Sequence, residues 1–396
     1  MRYIRNINSE HMDIKGISPV TTYIIYRVEF VEEISKEALF HAYQDVVACY
    51  PVFGFGLERE DGMQYLVDLT VPVKVHNTDQ ILFPDGKSLD GHLVFIGYSG
   101  TMMNLVINHR LTDGHGISIF LGKLLERYEL WLSGTAVAIT EPAYDISLMV
   151  QQTAAIPVAT EDQPYEPFVH PGEVLRLPSA AGKTYYTHVL YVDEKDFIAL
   201  AHSKGASPFV MMNLLIADGL FRMNPDSGTH VSVGFSISNR KALGMEGSFS
   251  NIVEHGVLSI GRDEPEDSDH LERMKNDVKG QASPENFRFC WKDVKFRFTK
   301  TYRIITQSSY FCSYLRMKEV RSKLVKEHYQ LNPCSRQQVS VNACLGRMEF
   351  IVSGPTGCDT LYPALKLGLE GVGLKAVEEK MLTMEDGGDR LILHEK

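Results

Sequence analysis

The stretch TMMNLVINHRLTDGHGISIFLGKLLERYELWL, residues 101–132, decides how this chain is read. Leu105, Ile107 and His109 share one face of a strand, because side chains alternate along it. A sharp connection, Thr112-Asp113-Gly114-His115-Gly116, follows. Ile117, Phe120, Leu121, Leu124, Leu125, Tyr128 and Leu132 then recur at helical spacing and mark an amphipathic helix docked by one face. His109 is thus expected at the end of a buried strand, just before a glycine-bearing turn and a helix. An imidazole placed there is held rigidly and projects into an interface between lobes. His115 is expected to pack or face solvent, and the pairs Met102-Met103 and Met211-Met212 read as core.

On either side of this stretch the same grammar recurs. TYIIYRVEF, residues 22–30, alternates like a strand, and in EEISKEALFHAYQDVVACYP, residues 32–51, Leu39, Tyr43, Val46, Val47 and Tyr50 fall at helical spacing before Pro51. MQYLVDLTVPVKV, residues 63–75, and HLVFIGYS, residues 92–99, add short strands. In the second half YYTHVLYV, residues 185–192, is a strand. Asp193 is a candidate helix N-cap and Gly205 a helix stop. PFVMMNLLIADGLFRM, residues 208–223, is a buried helix. Between the halves, Pro157, Pro164, Pro167, Pro171 and Pro178 crowd a segment that permits neither helix nor sheet pairing. The expected organisation is an N-terminal lobe over 1–155, a proline-rich crossover over 156–183 and a C-terminal lobe over 184–396. The fold class is mixed α+β or α/β, with two similar lobes, each a mixed sheet with helices.

Bulk properties exclude several functions. The chain of 396 residues is 44% hydrophobic and 23% charged, an ordinary globular composition rather than a disordered one. No stretch approaches the roughly 20 apolar residues of a membrane-spanning helix. The N-terminal MRYIRNINSEHMDIKG lacks the apolar core of a secretory signal. The six cysteines (Cys49, Cys290, Cys312, Cys334, Cys344, Cys358) form no Cys-x-x-Cys and no zinc-site spacing, so they read as reduced thiols of a cytoplasmic protein without a metal. A net charge of −10 argues against nucleic-acid binding. Residues 288–328 depart from this balance, with eleven Lys/Arg against three Asp/Glu, a net +8 that leaves −18 for the rest. That segment is either a solvated face or one turned to a negatively charged partner. Trp291, Phe296, Phe298 and Tyr302 among its cations leave contact with a lipid surface as a lower-ranked use.

The pattern His109-x-x-x-Asp113-Gly114, set in a strand-turn-helix, resembles the HxxxDG motif of the chloramphenicol acetyltransferase-like superfamily. That group takes in peptide-synthetase condensation domains, alcohol acetyltransferases, polyketide-associated acyltransferases and the plant BAHD enzymes. The resemblance extends in order along most of the chain. It includes ACYPVFGFGLE (48–58), VDEKDFIALAHSKGASPFVMMNLLIADGLFRMNP (192–225), VSVGFSISNRKALGMEGSFSNIVEHGVLSI (231–260) and VSVNACLGRMEF (339–350). Two departures stand out. Asn108 occupies the place of the first histidine of the family's HHxxxDG form, and the DFGWG signature of the plant members is missing. The spacing to Asp113 keeps the second histidine as His109, with Arg110 merely following it.

The resemblance implies an active-site tunnel at the lobe interface and acyl transfer from a thioester to a hydroxyl or amine. The donor is acyl-CoA or an acyl carrier protein's phosphopantetheine arm, used as cosubstrate, with no tightly bound cofactor and a small-molecule acceptor. His109 is the expected general base, since a neutral imidazole suits proton removal near pH 7. Asp113 is implied to pair with Arg240 and fix the turn, the alternative being a plain helix cap. Gly114 is expected to allow a backbone geometry or close packing that a β-carbon would obstruct. Ser340 and Asn342 are candidates by resemblance for stabilising the oxyanion, and Asn251 for lining the tunnel. A serine triad is poorly supported, because Gly97-Tyr98-Ser99-Gly100 is one residue short of G-x-S-x-G. Three readings follow: a free-standing acyltransferase of natural-product or lipid biosynthesis; a carrier-protein-dependent condensation enzyme forming an amide; and a noncatalytic recruitment protein of the same fold.

Overall fold

The computed structural model describes residues 2–3, 22–60, 63–85, 89–140, 165–180, 182–249, 252–264, 267–292, 294–316, 320, 322–344 and 346–395. Residues 156–164 and 181 of the crossover, and Asn251, fall outside these. So do the side chains of Trp291, Phe296 and Phe298.

The first part of the chain gives β1 (Arg2–Tyr3), β2 (Tyr23–Phe30), α1 (Lys36–Cys49), β3 (Phe55–Glu60), β4 (Met63–Asp68), β5 (His76–Asn77), β6 (Ile81–Leu82), β7 (Val94–Ser99), β8 (Met102–Asn108) and α2 (Gly114–Leu132). The second begins with β9 (Thr184–Asp193), α3 (Glu194–Ser203), α4 (Pro208–Met223), β10 (His230–Ser238), α5 (Arg240–Leu243) and β11 (Val253–Gly261). It continues with α6 (Ser268–Gln281), α7 (Pro284–Lys292), α8 (Val294–Gln307), β12 (Tyr310–Arg316), β13 (Val325–Leu331) and β14 (Gln338–Cys344). It closes with β15 (Arg347–Pro355), α9 (Leu361–Gly371), β16 (Glu378–Asp386) and β17 (Arg390–Glu395).

Local signals set the boundaries. The Ser35 hydroxyl accepts from the Ala38 amide at the start of α1, and the helix stops before Pro51, whose ring cannot continue it. The Asp193 carboxylate accepts from Lys195 and Asp196 amides to begin α3, and Gly205 follows its end at φ +71°.

A five-stranded sheet runs β13-β2-β8-β7-β5, and a nine-stranded sheet runs β11-β10-β12-β14-β15-β9-β16-β17-β6. The smaller sheet is covered on one face by α1 and α2, where Ile24, Tyr26, Val28, Leu105 and Ile107 join one core with Leu39, Phe120 and Leu124. Its other face meets the larger sheet. Ile25, Phe95 and Val106 pack there with Val189, Tyr191 and Ile351. This explains why β2 carries Ile24, Ile25 and Tyr26 all buried instead of alternating: both of its faces are covered. The larger sheet buries its far face under α3, α4, α6 and α9.

The sheets do not respect a division at residues 183/184. β13, from the second half, pairs with β2 in the smaller sheet, and β6, from the first half, pairs with β17 in the larger one. Each lobe is thus completed by a strand of the other half. The basic run 288–328 is likewise dispersed through α7, α8, β12 and β13, and Lys326 is spent on Glu29 at 2.6 Å. Within it α8 carries Lys295, Arg297, Lys300 and Arg303 and no Asp or Glu.

Candidate active site

Pairing of β8 with β2 and β7 makes it an interior strand, so its C-terminal end is held from both sides. β8 stops at Asn108, one residue earlier than the alternation implies, and His109 opens the turn. Its backbone amide donates to the Thr22 carbonyl at 2.8 Å. Asn108, buried, accepts from the Arg110 amide at 3.1 Å and donates to the Pro84 carbonyl at 3.3 Å. The residue at the family's first-histidine place therefore braces the turn.

His109 is half-buried. Protein packed around the ring strips water from the imidazolium and lowers its pKa below the ordinary histidine value. Asp113, and backbone hydrogen bonds to His109 itself and Thr112, pull the other way. The net effect is a neutral imidazole at pH 7.

Asp113 is the N-cap of α2, its Oδ1 accepting from His115 and Gly116 amides at 3.0 and 3.2 Å. Both oxygens also accept from Arg240 Nη2 at 2.7 Å, and Oδ2 accepts from the Ile252 amide at 3.1 Å. The cap and the ion pair are therefore one arrangement rather than alternatives. Both partners are buried, at 1% and 3% exposure, and the pair is acceptable there because its remaining bonding capacity is used. Arg240 Nε donates to the Ser248 carbonyl at 2.7 Å and Nη1 to the Ser238 hydroxyl at 3.1 Å. Thr112 Oγ1 donates to the Phe249 carbonyl at 2.5 Å. The motif turn is thus clamped to Arg240, Phe249 and Ile252 of the other half.

One expectation is corrected. A β-carbon on Gly114 would meet only Leu315, at 3.4 Å, an ordinary contact. At Gly116 it would fall 1.8 Å from Thr112 Oγ1 and 2.5 Å from the Phe249 carbonyl. The steric requirement for glycine belongs to position 116, where α2 passes directly under the clamp.

Ser340 and Asn342 lie on β14, both buried. Ser340 Oγ accepts from Asn332 Nδ2 at 2.9 Å, which leaves the hydroxyl proton to donate elsewhere. Asn342 is cross-strand partner of Leu315 on β12, the residue that faces Gly114. The β14 pair therefore belongs to the side of the larger sheet turned to the motif. His115 Nε2 bonds the Glu246 carbonyl at 3.2 Å. Two cavities, of about 460 and 360 Å³, are lined by Tyr186, Asp359 and His394 and by Gln44, Val47 and Val73 among others, and neither touches His109. The reading of the sequence missed Ser238, Ser248 and Ile252. Nothing in their spacing marks them, because they act through backbone groups or as one hydroxyl.

No family model and no curated protein matches this chain. Solved structures do. A polyketide synthase associated protein 5 from Mycobacterium tuberculosis is 14% identical at a TM-score of 0.61, over 93% of this chain and 98% of that one. The first condensation domain of the calcium-dependent antibiotic synthetase, in complex with a substrate analogue, is 12% identical at a TM-score of 0.66, over 96% and 99%. The TRI101 protein of F. graminearum, complexed with coenzyme A and T-2 mycotoxin, is 9% identical at a TM-score of 0.62, over 90% and 95%. The chain shares the two-lobed fold of these structures. Among the described residues no helix is long and apolar enough to cross a membrane.

Proposed function

We propose that the chain is an acyltransferase that moves an acyl group from a thioester to a hydroxyl or amine of a small molecule, with His109 as general base. The supporting observation is His109 itself: neutral, half-buried, and seated on a turn that Asp113 and Arg240 tie to the opposite half. The neutral imidazole takes the acceptor's proton as its oxygen or nitrogen attacks the thioester carbonyl. The C–S bond then breaks, and the imidazolium returns the proton to the departing thiolate. Atoms and charges balance with no covalent enzyme intermediate. Ser340, whose hydroxyl proton is uncommitted to Asn332, is our choice for the donor to the developing oxyanion. The reading requires a route for substrates to His109 along the seam, where neither of the two cavities described above opens. Asp113, Gly116 and Arg240 position and do not react.

Acyl-CoA is the first donor to test, since coenzyme A accompanies the TRI101 protein in its structure. The condensation domain among the similar structures supports a second reading, a carrier-protein-dependent enzyme forming an amide. Thiol release from acetyl-CoA and octanoyl-CoA separates the two, because the second reading predicts release only from a loaded carrier protein. In whichever assay is active, His109→Ala is expected to lower turnover by about 10²–10⁴-fold with the far-UV spectrum unchanged. Undiminished turnover in that variant removes His109 from the reaction. No turnover with any donor, in wild type as in the variant, leaves the third reading, a noncatalytic protein.

A further inference from the structure

One cross-strand row on the larger sheet is left unused by this chemistry. Leu315 on β12, Asn342 on β14, Glu349 on β15 and Tyr191 on β9 lie opposite one another in succession, and such partners share a face. The face is the one turned to the smaller sheet, since Val341, Ala343, Met348 and Phe350 enter the core on the far side. Leu315 starts the row at Gly114, so each further strand lies about 4.8 Å deeper along the seam from the motif.

Glu349 is 5% exposed. Its Oε2 is 3.5 Å from Asn342 Nδ2, and 4.0 Å from Nδ1 of His328 on β13 of the other sheet. Burial holds the Glu349 carboxyl well above the usual carboxylate range, only partly offset by Asn342. Burial likewise pushes His328 down to about 4. His328 is therefore neutral at pH 7. A buried acid with so few partners is costly, and structures keep such groups where they do something. The geometry shows one thing it does: it occupies the amide end of Asn342. The other end, Oδ1, has no hydrogen-bond partner although Asn342 is 1% exposed.

We propose that Glu349 is a positioning residue that turns Asn342 so that its carbonyl oxygen, not its amide, faces the seam, where it receives an N–H or O–H of bound substrate. The inference rests on the acyl-transfer reading and deepens it: Asn342 becomes a selector for hydrogen-bond donors rather than an oxyanion stabiliser. The donor group belongs either to the amides of the thioester's pantetheine arm or to the acceptor.

Three full-length variants test this. Coenzyme A affinity is measured by calorimetry, and KM is measured for 1-octanol and octylamine with octanoyl-CoA. Asn342→Ala is expected to weaken one of these by about 3–10-fold, the scale of one neutral hydrogen bond. Loss in coenzyme A affinity assigns the pantetheine arm, and loss confined to KM assigns the acceptor. Glu349→Leu should reproduce the same loss, and the Glu349→Leu/Asn342→Ala double variant should be no worse than Asn342→Ala. Glu349→Gln, whose side-chain oxygen accepts from Asn342 in the same way, should stay within about twofold of wild type. An unfolding midpoint of Glu349→Leu at or above wild type excludes misfolding as the cause. A readout free of substrate is the side-chain amide resonance of Asn342 in ¹⁵N-Asn-labelled protein, identified by its loss in Asn342→Ala. It should move in Glu349→Leu and hold in Glu349→Gln. Additive losses, a silent Glu349→Leu, or a Glu349→Gln as damaged as Glu349→Leu overturn the proposal. If the amide resonance and coenzyme A affinity behave as expected while no thioester is turned over, the acyl-transfer reading fails and the positioning stands.

Discussion

A methyl group at Gly116 would collide with the Thr112 hydroxyl and the Phe249 carbonyl, and the second of these is main chain. Neither can withdraw without opening the Thr112–Phe249 hydrogen bond that ties the motif turn to the opposite half. The Gly116→Ala variant is therefore expected to lose about 1–3 kcal/mol, the usual range for overpacking a tight site. Gly114→Ala is expected to lose under about 1 kcal/mol, the cost of ordinary adjustment, because Leu315 stands at contact distance. Urea unfolding of the two variants side by side checks this, and a Gly114→Ala that is the less stable would reverse the assignment. The contrast shows what the motif conceals. Reading His-x-x-x-Asp-Gly as three fixed letters directs attention to Gly114, whereas the packing demand sits two residues on. His109 and Asp113 were legible because strand, turn and helix periodicities locate them. The choice between glycines was not, because it depends on a carbonyl 133 positions away in the chain, from 116 to 249.

At the scale of elements, α2 enters the fold through a cap that is also half of a buried ion pair. Removing one partner strands the other: Asp113→Ala takes from the buried Arg240 guanidinium, 3% exposed, the carboxylate that Nη2 pairs with, while Nε and Nη1 keep the Ser248 carbonyl and the Ser238 hydroxyl. Breaking such a pair costs about 3–5 kcal/mol. Arg240→Ala should cost a similar amount, and the double variant much less than the sum, since neither charge is then orphaned. Thermal unfolding of the four proteins gives the coupling. Additive losses would mean that Asp113 acts as a simple cap and that Arg240 contributes nothing through it. Caps and stops were the most readable part of this chain: Asp193 and Gly205 bound α3 as their chemistry dictates. The strands were less so. β2 has both faces buried, and no alternation can announce that a second sheet will cover the side that usually meets water.

For the whole molecule the decisive fact is the exchange of β13 and β6 between sheets. Sequence order suggests two lobes joined by a crossover, and lobes of that kind can unfold one at a time. Here β13 brings Tyr329 and Leu331 into the shared core, and its edge position in the smaller sheet satisfies the backbone of β2 along six register pairs. A fragment ending at residue 183 would leave that edge of β2 open, with Ile25, Phe95 and Val106 facing solvent in place of the larger sheet. An open apolar edge is a template for aggregation. The expected outcome is that residues 1–183 expressed alone are insoluble or lack a cooperative transition, and that co-expression with residues 184–396 restores a soluble complex. The intact chain should unfold in a single calorimetric transition, its van't Hoff and calorimetric enthalpies agreeing. A soluble, cooperatively folding 1–183 fragment would show that the exchanged strands are ornament. Failure of that fragment would mean that His109 and Arg240 are held in register by strands given from each half to the other.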